Sequence, residues 1–352
     1  MKNWKTPLRV LALAALLTST IALVRGLRRD SDAYASQAPT VPVEQAALPQ
    51  ATTVDSVSAA APAGFDAGDA PFTVDVNGES TPYARMAVFA LPGEDVRIDV
   101  GEAGYLADAD AGTLTTETST RWSWRAPETV GTSELRVRRA ADGAVVTLQA
   151  FVMVPYSEMK HGNVRGYYVG EYPAPRATHA DSYARPRGFV QVTEQTASLA
   201  LSPHFTLGQF VCKAGAGYPK YVVVQPRLLR RLENLLAVAN QRGVAAHSFT
   251  LMSAYRTPTY NKGIGNVTTF TRHQYGDAAD IFVDEDGDGR MDDLNHDGRF
   301  DRHDAEVLHD IAQDTERTVE QGALVGGLSA YAPTHEHGPF VHVDTRGFAA
   351  RW

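Results

Sequence analysis

Apolar and polar residues alternate in short runs through much of the chain. Phe72-Thr73-Val74-Asp75-Val76, Val96-Arg97-Ile98-Asp99-Val100 and Trp122-Ser123-Trp124 each have a period of two, which predicts half-buried strands. Leu135-Arg136-Val137-Arg138 and Val145-Val146-Thr147-Leu148 flank Asp142-Gly143, a hairpin signal. Strands this short and evenly spaced predict a β-sandwich of immunoglobulin-like type over 71–155. The chain has a single cysteine, so no disulfide crosses that sandwich. At least one of Trp122 and Trp124 is expected in its core, because large aromatics usually supply buried area.

The period changes downstream. Thr206-Leu207-Gly208-Gln209 has the form of a capping box that opens a short helix. Leu228, Leu229, Leu232, Leu235, Leu236 and Ala239 fall at helical spacing, with Gly243 as the stop. Phe249–Ser253 predicts a strand that delivers Arg256 to a loop. Alternation returns at Ala279-Asp280-Ile281-Phe282-Val283 and at Phe340-Val341-His342-Val343-Asp344. Ala305, Val307, Leu308 and Ile311 begin an amphipathic helix, capped by Asp301 or Asp304.

The first residues follow another logic. Lys2, Lys5 and Arg9 precede an apolar run from Val10 to Val24, and Arg25, Arg28 and Arg29 follow it. That order predicts export, with residues 1–29 acting as a membrane anchor or as a cleaved signal peptide. The Ala33-Tyr34-Ala35 site lies far past the apolar run, which favours the anchor. Residues 30–70 are rich in Ala, Pro, Ser and Thr without periodicity, the composition of a disordered tether. The expected location is the periplasm or cell envelope.

With 352 residues and 43% apolar content, the chain is long enough for two cores. Its formal charge of −8 and the lack of a basic block argue against a nucleic-acid partner. Acid is concentrated instead after residue 280. Cys212 sits in an apolar context and reads as a small buried hydrophobe.

Candidate chemistry gathers at Thr271-Arg272-His273-Gln274-Tyr275-Gly276-Asp277-Ala278-Ala279-Asp280, and at the distant His342. Two imidazoles and a carboxylate can hold Zn²⁺ and leave a fourth position open for water. The competing reading is a His that caps a turn and an Asp paired with an Arg. Arg256, at a strand end, has a planar fork that suits a carboxylate or a peptide carbonyl. Its competing reading is a surface ion pair.

Asp284-x-Asp286-x-Asp288-Gly289-x-x-Asp292 and Asn295-x-Asp297-Gly298-x-x-Asp301 place carboxylates at alternate positions around turn-making glycines. This insert, 284–304, predicts structural Ca²⁺, which takes six to eight oxygen ligands. The alternative is an acidic loop without an ion.

Ser253-Ala254-Tyr255-Arg256-Thr257-Pro258, Thr271-x-His273-x-x-Gly276-x-Ala278-x-Asp280 and Phe340-Val341-His342-Val343-Asp344-Thr345-Arg346-Gly347 together resemble the D-Ala-D-Ala carboxypeptidase family of zinc peptidases. That family includes murein endopeptidases, and its metal site resembles that of Hedgehog domains. The likeness spans roughly 160–350, with Thr271 where the family usually has Ser. It implies, for residues 156–352, a small antiparallel sheet with helices on one side, an α+β core. It implies that His273, Asp280 and His342 hold zinc, that Arg256 polarises the scissile carbonyl, and that the substrate is peptidoglycan. Many members place an acid three residues before the last zinc His, where this chain has Pro339. Glu336, Asp344 and His337 are therefore the candidates for general base. The rival reading is a non-catalytic wall-binding protein that keeps a structural metal.

Overall fold

A computed structural model describes residues 64–215, 217–266, 268–318 and 322–352. The expected anchor and nearly all of the expected tether lie outside these residues. No helix among the described residues is long and apolar enough to cross a membrane.

The chain is α+β, with mostly antiparallel sheets and few helices. Its first part contains β1 (Asp69–Val76), β2 (Glu79–Tyr83), β3 (Arg85–Ala90), β4 (Asp95–Val100), β5 (Tyr105–Ala109), β6 (Thr113–Thr118), β7 (Arg121–Arg125), β8 (Gly131–Arg139) and β9 (Val145–Val152). Regular structure thus begins at Asp69, inside the stretch read as tether. One sheet has the order β2-β1-β4-β7-β6 and the other β3-β9-β8-β5. Val74, Ile98, Trp122 and Trp124 from the first sheet share a buried cluster with Val88, Leu135, Val137, Leu148 and Ala150 from the second. Both tryptophans are buried, and Trp124 Nε1 donates to Ala111 O at 2.8 Å, which satisfies its one polar atom. The Asp142-Gly143 hairpin forms as expected, joining antiparallel β8 and β9 with Gly143 at φ 75°.

Next come β10 (Val154–Pro155), β11 (Asn163–Val164), β12 (Tyr167–Tyr168), β13 (Gly188–Val192) and β14 (Lys220–Val222). The remaining elements are α1 (Pro226–Gln241), β15 (Thr250–Ser253), α2 (Pro258–Gly263), β16 (Ala278–Phe282), α3 (Arg302–Thr318), β17 (Gly327–Tyr331), β18 (Phe340–Asp344) and β19 (Ala350–Arg351). The capping box is present: Gln209 Oε1 accepts the Thr206 N–H at 2.7 Å ahead of a 3-10 turn, Leu207–Phe210. Cys212 is buried, as its apolar neighbours predicted. Apolar packing does not stop at residue 155. Tyr83, Met86, Phe151 and Met153 belong to the same buried cluster as Leu228, Leu232 and Val343.

The sheet that matters most has the order β15-β16-β18-β17-β19. Its period of two sorts side chains cleanly. Ala279, Ile281, Leu328, Val341 and Val343 are buried in one cluster with Leu228, Leu232, Leu235 and Leu236 of α1 and with Ala305, Leu308 and Ile311 of α3. The opposite face carries Asp280, Ser329, Tyr331, Phe340 and His342.

Candidate metal centre

Strand register builds most of the site. Asp280 of β16 lies directly opposite His342 of β18, and Ser253 of β15 lies opposite Asp280. Directly paired residues of antiparallel strands share a face, with Cβ atoms about 4.5–5.5 Å apart. His342 Nδ1 stands 2.9 Å from Asp280 Oδ1. His273 arrives from a separate 3-10 turn, Arg272–Tyr275, and its Nε2 lies 3.3 Å from the same oxygen. One ligand atom from each of the three side chains lies within 4.8 Å of the other two. All three residues are buried. Gly276 ends the turn at φ 70°, where a Cβ would fall 2.3 Å from Val223 O, so only glycine fits the motif at this point.

Secondary contacts fix the rings as metal ligands require. His273 Nδ1 donates to Ala254 O at 2.7 Å, which turns the Nε2 lone pair toward Asp280. His342 Nε2 lies 3.1 Å from Asp344 Oδ2 on its other side. Asp344 is itself saturated. It accepts the Gly327 N–H at 2.8 Å and the Arg346 Nε–H at 2.9 Å. Arg256 uses Nε on Ser253 Oγ at 2.7 Å and one terminal nitrogen on Asp280 Oδ2, leaving Nη1 for the cleft. The pairing of Asp280 with an arginine, posed as a rival to metal binding, is thus present together with the metal-like cluster.

Charge follows from these contacts. Burial alone raises a carboxyl, but His273, His342 and Arg256 outweigh it and hold Asp280 well below its ordinary range. Burial, aided by Arg256, lowers His273. Burial would also lower His342, yet its hydrogen bonds to Asp280 and Asp344 push it up to about 9. A metal ion held by this cluster would have to displace that proton. Apparent zinc affinity should therefore strengthen by up to about tenfold per pH unit as pH rises from 6 toward 9. Competition titration against a chromophoric chelator at several pH values measures it. A flat profile would mean that His342 holds no proton in the metal-free protein.

The cluster forms the floor of a cleft of about 710 Å³. Its walls include Phe340 and Arg346 of the third motif segment, and Arg176, Phe270, Tyr331 and Trp352, which lie outside the quoted motifs. The Trp352 ring lies 5.3 Å from that of His342, and its Nε1 donates to the Tyr331 hydroxyl at 2.5 Å.

The three candidate bases are placed very differently. Asp344 stands behind His342 and supports that ring, so its expected role as base is corrected to a positioning one. Glu336 is exposed, its carboxylate lies 3.5 Å from His335, and it is not among the residues that line the cleft. His337 packs edge-on against Phe340, a cleft wall residue, with ring centroids 5.0 Å apart. Its Nδ1 donates to Gly338 O at 2.8 Å, which leaves Nε2 outside that contact, and like Glu336 it is not among the residues that line the cleft.

The acidic insert forms two similar turns, nine residues apart. Asp284 accepts the Gly289 N–H at 3.2 Å, and Asp293 accepts the Gly298 N–H at 2.8 Å. Asp286 and Asn295 then accept from Asp288 and Asp297, which accept from Arg290 and Arg299. The second turn therefore begins at Asp293 and not at Asn295, a correction to the frame read from the motif. Asp284, Asp286 and Asp292 bring ligand oxygens within 4.8 Å of one another. Asp288, Asp297 and Asp301 join no such three-residue group among the described residues. Asp301 accepts the His303 N–H at 2.8 Å and so caps α3. Asp304 is buried and accepts N–H groups from Leu294 and Asp301. Burial first, then the neighbouring carboxylates, raise Asp292 to about 6.

Compared with known proteins, the chain matches no family model, no curated protein and no solved structure.

Proposed function

We propose that this chain is an exported zinc peptidase that hydrolyses peptidoglycan stem peptides or cross-links, as a carboxypeptidase or endopeptidase. The observation that carries the reading is the meeting of His273, Asp280 and His342 on the open floor of a cleft, with each ring held from behind. The donor set fits zinc, since two neutral imidazoles and a carboxylate suit a tetrahedral ion with one open position. Zinc, when bound, supplies Lewis acidity and lowers the pKa of a coordinated water toward about 7. The fold we assign is a Hedgehog-like and D-Ala-D-Ala-peptidase-like zinc domain, preceded by an immunoglobulin-like sandwich that acts as a spacer or binding module. The N-terminal segment would tether or export it into the periplasm or envelope.

Within this reading, the chain's own groups divide the work. Arg256 Nη1 donates to the carbonyl oxygen and stabilises charge that develops there. His337 Nε2 takes the proton of the attacking water and returns it to the leaving amine. Asp344 and Ala254 O hold the two imidazoles in place. His337→Ala should lower kcat on a purified muropeptide by about 10²–10⁴-fold, the usual worth of a general base. Zinc content should stay unchanged. Unaltered turnover would remove His337 from the reaction.

The second reading, a wall-binding protein with a structural metal, draws support from one observation. Apart from Asp280 itself, no carboxylate lines the cleft among the described residues. Digestion of purified sacculi separates the two readings: released fragments support the peptidase, and retention on sacculi without fragments supports the binder.

We also assign structural Ca²⁺ to the insert, held first by Asp284, Asp286 and Asp292, with the Asp293–Asp301 turn as a second candidate. Without a cation, the raised pKa of Asp292 favours folding below its unfolded value and loses that contribution as pH rises through about 6. Millimolar Ca²⁺ should therefore raise Tm more at pH 7 than at pH 4. Asp292→Asn should reduce the gain. An equal response at both pH values would exclude the assignment.

A further inference from the structure

One wall of the cleft carries a cation that the proposed mechanism does not use. Four arginines line the cleft: Arg176, Arg256, Arg272 and Arg346. Three of them are paired with acids, Arg256 with Asp280, Arg272 with Asp277 and Arg346 with Asp344. Arg176 has no acid partner among the described residues. It is held instead by aromatic rings. Its guanidinium carbon lies 4.9 Å from the centre of the Phe270 ring and 5.3 Å from that of Tyr183. Those rings brace each other edge to face, with centroids 5.4 Å apart at 79°. Tyr183 also stands edge-on to Tyr275 at 5.7 Å.

Such a seat costs little electrostatically and fixes the plane of the fork. A guanidinium over ring faces gains roughly 0.5–1 kcal/mol at exposed sites while its N–H edge stays available. That edge matches a carboxylate bidentately. Phe270 belongs to the segment that runs directly into Thr271 and His273, so the seat is built on the loop that supplies the first candidate metal ligand. Around it the wall is neutral, with Asn266, Thr268 and Thr269. Among the described lining residues, an anionic group placed there meets a cation without an acid partner, and Asp280, the one carboxylate of the cleft, is engaged with Arg256.

Resting on the peptidase reading above, we propose that Arg176 is a specificity-determining residue that receives the free carboxylate of the substrate's terminal residue. The substrate class is then a peptide whose scissile bond lies next to a chain end, so the cleft favours carboxypeptidase over cross-link cleavage. Arg256 remains with the carbonyl, and Arg176 selects the chain end.

The test uses the full chain, as purified with zinc, and two small probes lacking a stem-peptide bond: N-acetyl-D-alanine and its C-terminal amide. Calorimetric titration should give a Kd for the acid about tenfold lower than for the amide. In Arg176→Gln that preference should disappear through loss of acid binding, with the amide Kd unchanged, while Arg176→Lys keeps part of it. Equal binding of acid and amide by the wild type, or a preference that survives Arg176→Gln, overturns the proposal. Turnover of a D-Ala-D-Ala tripeptide is measured separately. No turnover with the preference intact sinks the peptidase and leaves the Arg176 subsite. Turnover with a preference indifferent to Arg176→Gln does the reverse.

Discussion

His273→Ala is expected to abolish zinc binding and to reduce peptidase turnover by at least about a thousandfold. His273 enters the cluster on its own turn, and its loss leaves only Asp280 and His342, which face each other across one strand pair. Two protein ligands do not make the three-ligand set of a catalytic zinc site. Polarisation by the metal contributes several kcal/mol to such reactions, and about 1.4 kcal/mol corresponds to a factor of ten in rate. The fold should survive, because among the described residues the ring bonds the backbone only through Nδ1 to Ala254 O. Metal analysis and turnover on a muropeptide, with circular dichroism as the folding control, measure the outcome. A metal-loaded, fully active variant would end the zinc-peptidase reading.

The second large effect concerns stability. Asp277→Ala should cost about 3–5 kcal/mol, a large part of the roughly 5–15 kcal/mol that a typical protein has. Asp277 is fully buried and holds Arg272, which is itself buried, through two hydrogen bonds, one of them at 3.0 Å. It also accepts from Arg227 of α1 at 2.7 Å, and its carbonyl accepts the Thr345 N–H at 2.9 Å. One residue thus ties together the turn bearing His273, the start of α1 and the chain beyond β18. Removing the carboxylate leaves Arg272 charged and desolvated, with only Ser182 O and the Tyr183 and Tyr275 rings for company. Urea denaturation measures the loss. The double variant Arg272→Met with Asp277→Ala should recover much of it, because no uncompensated charge remains. A single-variant loss below about 1 kcal/mol would contradict the buried-charge account.

Much of the scaffold was legible because strand and helix periods are local. The alternation of 278–282 and 340–344 put Asp280 and His342 on the polar faces of two strands, and they pair in register. The leucines of α1 were readable as core for the same reason, and at least one of Trp122 and Trp124 from its size; both tryptophans are buried. The nine-residue repeat of the acidic insert was also present in the sequence, but the reading frame missed Asp293. Asn295 looked like a starting ligand, and the hydrogen bond from Gly298 to Asp293 fixes the true start.

Asp344 marks the limit of such reading. Residues two apart on a strand share a face, so the sequence put Asp344 beside His342 as a fair candidate base. Gly327 and Arg346 then consume its oxygens; Arg346 is only two residues away, but Gly327 comes from another strand, a contact with no signature in local spacing. Arg176, Phe270 and Trp352 reach the cleft from three separate segments, again without a local pattern to announce them. The sequence by itself determined the strands, the helices and the identity of the three candidate metal ligands, because periodicity and motif spacing act over a few residues. Only the tertiary structure decided which acid stands behind His342 and which cleft-lining arginine has no acid partner among the described residues. Those properties depend on what distant segments bring within about 3 Å, and hydrogen-bond geometry at that range is set by packing and not by sequence separation.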